Sequence, residues 1–552
     1  MRSDDRRTLD GPPARRKTRR VHTPPPPAST ATAERIDRTG AWAWAAYAVA
    51  LAAALALAWA PFELLLGHIL YEDFFYYLGV ADHIVRGDGA TFDGTAPTNG
   101  FHPMWMAVCV LLEAVADRTL AMRLSLVVAA VLHVAQAMLL RRLLRRLRVA
   151  PAIAWAATLF FLFSYRAIAW NLCGLEPPVQ GLFLLLAIDR LVAWRTSDRT
   201  GELLLLGLCL GANALARFDG LLFAVFALAG TMLGRAGWGA RLRAPLLAGS
   251  ALLLTLLPWF VWSLHHSGVL LPNSQAALAI WSTPAYGFDK SLAANTDLLL
   301  AQLNQSTWGI AELLSLMGLW PFVSTGPSIA GGVAWALAVA GVGVMLLRWR
   351  RGAAQSTHWL LYAFAVAHAG YYVVCAWAEP RYLMPTMLTL LVLLACIVDT
   401  VLQRAPQWRP RVLAAGLALY AMTLVGAVDA WRNHHGISLW HVFHGDLYRA
   451  ANWIRDNTPP DAIVGGWNCG IVGYHSGRTV VNLDGVINDD ALEPLRRREL
   501  ARYIDARHIR WLADADDQIV KFMSGYSGDP TWHQHWRPVF SSGTIFVLQR
   551  ID

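Results

Sequence analysis

The sequence predicts an all-α polytopic membrane protein with about eleven transmembrane helices, followed by a small α/β domain outside the membrane. Three observations lead to this fold class. Of the 552 residues, 56% are hydrophobic and only 15% are charged, and apolar runs of about 20 residues recur along the chain. Arginines gather at one set of span ends, as in cytoplasmic loops. Beyond Trp431, the long apolar runs end, and short β-like runs alternate with helical stretches.

Residues 1–40 are polar, rich in arginine and interrupted by four consecutive prolines. This composition predicts a disordered cytoplasmic tail. The apolar segment Ala41–Phe62 is the first predicted span, and the basic tail keeps its start on the cytoplasmic side. Met104–Ala116 is too short to cross and is expected to lie in the membrane interface. The further predicted spans are Leu120–Leu140, Ala152–Tyr165, Val179–Trp194, Leu203–Ala216, Leu221–Leu233, Pro245–Leu264, Ile329–Leu347, Trp359–Trp377, Leu383–Leu402 and Val412–Trp431.

The distribution of arginine predicts the orientation of the chain. The run Arg141–Arg148 and the pair Arg195 and Arg199 fall in loops on the same side as the basic tail, which the positive-inside rule assigns to the cytoplasm. Residues 41–431 are therefore expected to form a multi-pass cell-membrane domain whose C-terminus lies outside. The net charge of +9 reports this topology and does not indicate nucleic-acid binding.

In residues 432–552, β-like runs alternate with helical stretches. This pattern predicts an α/β domain, which we expect to be extracytoplasmic. The predicted strands are Ala462–Val464, Thr479–Asn482, Trp536–Phe540 and Thr544–Leu548. The predicted helices are Asp446–Asn457 and Leu495–Ala506.

The stretch Tyr71–Trp105 lies between two apolar segments and begins with the carboxylate pair Glu72-Asp73. A charge pair at a membrane boundary is costly to hold unless it is solvated or functional. Aromatic residues and then a turn-rich segment follow, which predicts a surface helix, a loop and an interfacial helix facing one water-filled cavity. An ordinary external loop with an aromatic belt remains the alternative.

Further charged residues stand at the outer ends of the predicted spans, and acids and bases both occur among them. Together they predict an external cavity that has a carboxylate base and cations suited to a phosphate. These residues are Arg166, Glu176, Arg217, Asp219, Lys290, Glu379 and Arg381.

Four places carry a resemblance to a known family. They are Glu72-Asp73 with Tyr76, Tyr77 and the run GDGATFDGTAPTNGFHPMW; Gly174-Leu175-Glu176; Arg217-Phe218-Asp219-Gly220; and Glu379-Pro380-Arg381-Tyr382 with Pro385. The chain resembles the polyprenyl-phosphate-sugar-dependent membrane glycosyltransferases of the C-type fold, which include protein mannosyltransferases and cell-envelope arabinosyl- and mannosyltransferases. The run Trp453–Asn488 resembles the external domain attached to many bacterial members.

The resemblance implies transfer of a sugar from a polyprenyl-phosphate donor to an acceptor hydroxyl outside the cytoplasm, with inversion. A carboxylate of the first external loop would deprotonate the acceptor. Many members have two aspartates where this chain has Glu72 and Asp73, so the resemblance leaves the identity of the base open. We favour Asp73 over Glu72.

The resemblance also implies candidate substrate-binding residues. Arg217, Lys290 and Arg381 are the candidates for the donor phosphate, with His102, His265 and His266 as weaker ones, and the remaining candidates are Tyr76, Glu176, Asp219 and Tyr382. Asp484 either closes an Asx turn or faces the cavity and helps to bind the acceptor. No Cys/His metal spacing occurs in the sequence, and a requirement for a divalent cation stays open.

Two other classes of function remain as alternatives. A transporter or lipid flippase of cell-envelope precursors would share the spans and the charged cavity, but transporters tend to show inverted repeats with broken helices at the midplane. A non-catalytic envelope-assembly protein would use its external domain to bind partners. For the enzyme, the expected partners are the bilayer, the lipid-linked donor and a glycan, lipid or protein acceptor of the cell envelope.

Overall fold

The computed structural model describes residues 30–233, 238–286, 356–372, 379–432 and 441–552. The first helix, α1, begins at Thr30 and ends at Ala58, so it starts inside the segment predicted as a disordered tail. Alanine, the strongest helix former, occurs twice in its first turn. Residues up to Ala48 form one unit, and Val49–Asp552 form a second. The elements after α1 all belong to the second unit.

As far as the structure describes it, the part of the second unit up to Arg432 consists of helices. In chain order they are α2 (Phe62–His68), α3 (Glu72–Arg86), α4 (Pro103–Val115), α5 (Arg118–Arg146), α6 (Pro151–Phe163), α7 (Tyr165–Asn171), α8 (Pro177–Ser197), α9 (Thr200–Ala216), α10 (Gly220–Met232), α11 (Trp238–Ser267), α12 (Asn273–Tyr286), α13 (Ser356–Gly370), α14 (Met384–Arg404) and α15 (Arg409–Arg432). A 3₁₀ turn, Pro380–Leu383, leads into α14.

Four helices among the described residues are long and apolar enough to cross a membrane: Arg118–Arg146, Pro177–Ser197, Arg241–Ser267 and Arg381–Arg404. The number rises to six if two bent helix pairs, Trp42–Ala58 with Phe62–His68 and Pro151–Phe163 with Tyr165–Asn171, each form one span. These apolar helices indicate a membrane protein by their length and composition, whereas the count of eleven crossings stays a prediction. The predicted span Ile329–Leu347 lies outside the described residues.

Glycines allow α9 to approach α11 closely. A Cβ atom on Gly211 would lie 2.5 Å from Cβ of Thr255, and one on Gly207 would overlap the backbone of Ala248. Helices in a bilayer associate through such small residues, because lipid offers no hydrophobic gain for bringing helices together. Thr255 hydrogen-bonds to the carbonyl of Ala251 in its own helix, so its polar group stays satisfied at this crossing.

The C-terminal part contains a five-stranded mixed sheet with the order β2-β1-β3-β5-β4. The strands are β1 (Ile463–Gly466), β2 (Thr479–Asn482), β3 (Trp511–Ala515), β4 (Trp536–Ser542) and β5 (Ile545–Arg550). β1 pairs in parallel with β2 and β3, and β5 pairs antiparallel with β3 and β4. The helices of this part are α16 (His441–Asn457), α17 (Gly470–Ser476), α18 (Leu492–Arg497), α19 (Leu500–Ala506) and α20 (Asp516–Tyr526).

The sequence predicts four of these strands and misses β3. All five side chains of β3 are buried, so it lacks the alternation that marks a half-exposed strand. The predicted helix Leu495–Ala506 is two helices, α18 and α19, because Arg498 adopts a left-handed conformation with φ 56° and ends the first. The core of the sheet domain includes Trp467, and Trp281 of α12 packs against it.

The loop between α3 and α4 is attached to the sheet domain through Asp93. One carboxylate oxygen of Asp93 accepts hydrogen bonds from the backbone amides of Thr95 and Ala96, both 2.8 Å long. The other accepts from Asn488, 2.8 Å away, and from the guanidinium of Arg507. A buried charge that is paired and fully hydrogen-bonded fixes the conformation of its surroundings.

We predict that Asp93→Ala detaches this loop from the sheet domain. The substitution removes the acceptor of the Thr95 and Ala96 amides and leaves Arg507 without its buried partner. The local free energy of opening should fall by about 3 kcal/mol, the usual cost of breaking a buried ion pair. Hydrogen–deuterium exchange across residues 91–98 measures it. Asp88→Ala is the control, since Asp88 is half-exposed and pairs with His83 on the surface. Equal exchange in the two variants would contradict the prediction.

Candidate active site

The two carboxylates at the start of α3, Glu72 and Asp73, lie in different surroundings. Tyr71 precedes the helix in an extended conformation, and its amide donates to the carbonyl of Cys173, 3.1 Å away. Acidic residues in a first turn are stabilised by the helix dipole. Consecutive helical residues lie about 100° apart around the axis, so Glu72 and Asp73 cannot share one environment. The side chain of Asp73 is 35% exposed, whereas Glu72 is 7% exposed.

Asp73 forms an ion pair with Arg381, although 308 positions separate them in the sequence. Oδ2 of Asp73 lies 2.6 Å from Nη2 of Arg381, and Oε2 of Glu379 lies 2.7 Å from Nε of the same guanidinium. The ring of Tyr71 lies 4.4 Å from this guanidinium, and its hydroxyl donates to Glu379 over 2.7 Å. The buried arginine therefore holds two carboxylates, one of which is open to solvent.

Arg217 is the centre of a second, more deeply buried cluster. It pairs with Glu176, at the start of α8, and its Nε lies 3.1 Å from Oδ2 of Asp219, at the start of α10. Asp219 also accepts hydrogen bonds from Gln180, over 2.6 Å, and from Tyr372. This arrangement ties together the adjoining ends of α8, α9 and α10, so Arg217 has a structural role in addition to any role in binding.

Tyr382 joins the two clusters. The guanidinium of Arg217 lies over its ring at 4.3 Å from the centroid, and that of Arg381 lies over it at 4.8 Å. Its hydroxyl accepts a hydrogen bond from Arg381 over 2.9 Å. Cation–π contacts of this kind fix a guanidinium in position without neutralising it.

The structure thus brings together six of the predicted site residues, and carboxylates outnumber guanidinium groups among them and their partners. Asp73, Glu379, Glu176 and Asp219 face Arg217 and Arg381. A phosphate placed here would meet cations that already have partners, so it would have to replace a carboxylate at one of the arginines. Lys290, the third predicted cation, lies outside the described residues.

Three predicted residues lie at the border of these clusters or beyond them. His102 starts α4, and its amide donates to the hydroxyl of Tyr77, 3.1 Å away. Burial lowers the pKa of His102 to about 4, so the ring is neutral at neutral pH and adds no charge for a phosphate. The hydroxyl of Tyr76 contacts the sheet domain, where it donates to the carbonyl of Trp467 over 2.8 Å. Glu72 accepts a hydrogen bond from the amide of Gly470.

Asp484 forms the expected Asx turn, since its Oδ1 accepts from the amide of Val486 over 2.9 Å. Its pKa is raised to about 7, chiefly by burial, and the negative charges of Asp514 and Asp73 contribute. The structure therefore contains the predicted Asx turn at Asp484, and a role of Asp484 in binding the acceptor stays a prediction.

The sequence interpretation missed Tyr71, Tyr372 and Gln180 as members of the clusters. Tyr71 directly precedes the carboxylate pair, and its aromatic type next to two acids was the available signal. Tyr372 and Gln180 lie in predicted spans, and nothing in their local sequence distinguishes them from packing residues. In the part of the chain that the structure describes, no group of three or more His, Cys, Asp or Glu side chains is arranged to hold a metal ion.

Comparison with known proteins identifies a domain and a fold. Residues 437–549 match a family described as a domain of unknown function, DUF8728. No curated protein matches the sequence.

Two solved structures resemble the chain over most of its length. The archaeal oligosaccharyltransferase AglB from Archaeoglobus fulgidus, solved with an inhibitory peptide and a dolichol-phosphate, is 12% identical with a TM-score of 0.53, over 90% of this chain and 72% of AglB. ArnT from Cupriavidus metallidurans, in the apo state, is 14% identical with a TM-score of 0.54, over 93% of this chain and 98% of ArnT. Both have the C-type glycosyltransferase fold, so the resemblance predicted from sequence is confirmed at the level of the fold.

We predict that Arg217→Leu destabilises the protein strongly, because it leaves Glu176 and Asp219 buried without their cation. The free energy of unfolding should fall by about 3–5 kcal/mol, as measured by denaturant titration in detergent. The matched control is Arg502→Leu, since the side chain of Arg502 is 82% exposed and its partner Glu499 is 41% exposed. Exposed pairs contribute about 0–1 kcal/mol. A loss no larger than in the control would argue against a structural role for Arg217.

Proposed function

We propose that this protein is a membrane glycosyltransferase that moves a sugar from a polyprenyl-phosphate donor to an acceptor hydroxyl, with inversion. The observation that carries the proposal is the pairing of a solvent-accessible carboxylate, Asp73, with a buried arginine, Arg381, at the start of a membrane helix. A positioned base and a phosphate-binding cation are the two groups that such a reaction requires. The fold shared with AglB, which was solved with a dolichol-phosphate, supports the lipid-phosphate part of the proposal.

In the proposed reaction, Asp73 removes the proton of the acceptor hydroxyl while that oxygen attacks the anomeric carbon. The bond between the anomeric carbon and the phosphate oxygen breaks, and the polyprenyl phosphate leaves with the bonding electrons. Arg381 stabilises the charge that develops on the phosphate. Because Asp73 is more exposed than Glu379, the other carboxylate partner of Arg381, Asp73 is the partner that an incoming phosphate displaces.

This exchange of partners assigns different roles to the two carboxylates. Asp73 would be freed as the base when the donor phosphate reaches Arg381. Glu379 would stay with the guanidinium, since Tyr71 also holds it through a 2.7 Å hydrogen bond. We propose Tyr382 as the residue that keeps Arg381 oriented during the exchange, through the contacts of its ring and hydroxyl.

The experiment that tests the function is incubation of the purified protein with a panel of polyprenyl-phosphate sugars and candidate cell-envelope acceptors. Mass spectrometry of the released polyprenyl phosphate and of the glycosylated acceptor reports transfer. A transporter or flippase would instead move the intact lipid-linked sugar across proteoliposomes without releasing lipid phosphate. Movement of the donor without transfer for every sugar tested would replace the enzyme proposal by that alternative.

We predict that Asp73→Asn abolishes most sugar transfer, because the amide keeps the shape of the side chain and cannot accept the proton. A positioned base contributes about 10²–10⁴-fold to the rate, so turnover should fall by that factor while donor binding persists. The control is Asp88→Asn, a half-exposed carboxylate just beyond the same helix. Turnover of Asp73→Asn close to the wild-type value would exclude this residue as the base.

We also propose that the N-terminus is cytoplasmic, that residues 41–431 form the membrane domain and that residues 432–552 form an extracytoplasmic domain. The arginine-rich loops of the sequence support this orientation.

A cysteine introduced at Arg502, whose side chain is 82% exposed, should react in intact cells with a membrane-impermeant maleimide. A cysteine introduced at Arg199, in a predicted cytoplasmic loop, should react only after the membrane is permeabilised. The reverse pattern would invert the proposed topology.

A further inference from the structure

The first extramembrane helix, α3, is attached to the sheet domain along one face. Glu72 and Tyr76 are four residues apart and therefore project from the same side of the helix. The hydroxyl of Tyr76 donates to the carbonyl of Trp467 over 2.8 Å and accepts from the amide of Cys469 over 3.0 Å. Glu72 accepts from the amide of Gly470. Both side chains thus bind the segment that follows β1.

That segment is shaped for close contact with α3. A Cβ atom on Gly470 would lie 2.8 Å from the carbonyl oxygen and from Oε1 of Glu72, and one on Gly473 would lie 2.5 Å from the ring of Phe92. Larger residues at these two positions would separate the helix from the sheet domain. Because Gly470 and Gly473 have no side chain beyond hydrogen, α3 and the sheet domain can approach each other closely. This fit indicates a specific contact between them.

The segment is itself held rigidly at the end of the parallel strands. The carboxylate of Asp514, at the end of β3, accepts from the amides of Trp467, over 2.7 Å, and Asn468, over 2.6 Å. The side chain of Asn482, at the end of β2, donates to the carbonyl of Trp467 over 2.9 Å. Tyr76 therefore bonds to peptide groups whose positions are fixed by two strands.

From these contacts we infer that the C-terminal sheet domain acts as a clamp that sets the position of Asp73, with Glu72 and Tyr76 as positioning residues. The inference rests on the proposed role of Asp73 as the base. It gives a task to the part of the chain that matches a domain of unknown function.

The clamp acts through the geometry of a single helix. With one face of α3 held by Glu72 and Tyr76, Asp73 is directed away from the sheet domain and toward Arg381. A displacement of about 1 Å at a reacting group can lower a rate about 10²-fold. Loss of the clamp should therefore reduce turnover while the donor still binds at Arg381.

The chemical state of Glu72 agrees with an anchoring role. Burial, followed by the charge of Asp73, raises the pKa of the Glu72 carboxyl well above its ordinary range, and the charges of Asp514 and Asp484 act in the same direction. A raised pKa favours the protonated form, which is a poor general base and a close analogue of a glutamine side chain. The Gly470 amide needs only an oxygen acceptor, which glutamine also provides.

This similarity gives a test that separates anchoring from base catalysis. Glu72→Ala removes the acceptor of the Gly470 amide, and Tyr76→Phe removes only the hydroxyl, while the ring can keep its 5.1 Å contact with Phe92. Both variants should lower turnover about 10-fold or more with little change in donor affinity. Glu72→Gln should restore most of the turnover that Glu72→Ala loses. Tyr526→Phe is the matched control, since that hydroxyl makes a 3.4 Å hydrogen bond to Ile280, away from α3.

Hydrogen–deuterium exchange measures the contact between α3 and the sheet domain directly, even in a preparation that transfers no sugar. Exchange in residues 72–86 and 467–473 should rise in Glu72→Ala and Tyr76→Phe but not in Glu72→Gln or Tyr526→Phe. A rise of exchange in Glu72→Ala and Tyr76→Phe, together with a wild-type protein that transfers no sugar, would support the clamp and contradict the proposed enzyme function. Wild-type exchange and turnover in both Glu72→Ala and Tyr76→Phe would overturn the clamp. A loss of turnover in Glu72→Gln equal to that in Asp73→Asn would also overturn it, because Glu72 would then act chemically.

Discussion

The ion pair between Asp73 and Arg381 is the constraint on which the arrangement of the site depends. It joins helix α3 to the start of a long apolar helix that lies 308 positions later in the chain. An ion pair whose arginine is buried and whose carboxylate is accessible can exchange its partner without unfolding. Removing the arginine charge from water is costly, so the surrounding tyrosines and the second carboxylate, Glu379, help to keep the arginine in place.

The excess of carboxylates around the two arginines has a consequence for donor binding. In the proposed function, an anionic lipid phosphate would enter a site where Arg217 and Arg381 are each already paired with two acids. Its binding energy must therefore include the cost of separating Asp73 from Arg381. Under the proposal, separation of this pair would free Asp73 as the base only when the donor is bound, which would link donor binding to activation of the acceptor.

Much of the fold could be predicted from the sequence, because apolar length and arginine bias are local signals. The helix α8 contains the predicted span Val179–Trp194, and β2 has the predicted bounds Thr479–Asn482. Strand β3 could not be predicted, because its complete burial removes the alternating pattern. The different surroundings of Glu72 and Asp73 also could not be predicted, because they depend on Gly470 and Arg381, which the fold brings next to α3 from distant parts of the chain.

The most direct measurement of the central claim is a structure of the protein with a bound polyprenyl phosphate. The account predicts the phosphate within hydrogen-bond distance of the guanidinium of Arg381. It also predicts that the carboxylate of Asp73 is separated from Arg381 and faces the acceptor side, with Glu72 still bonded to Gly470. A phosphate bound away from Arg381, or bound while Asp73 stays paired with it, would contradict the account.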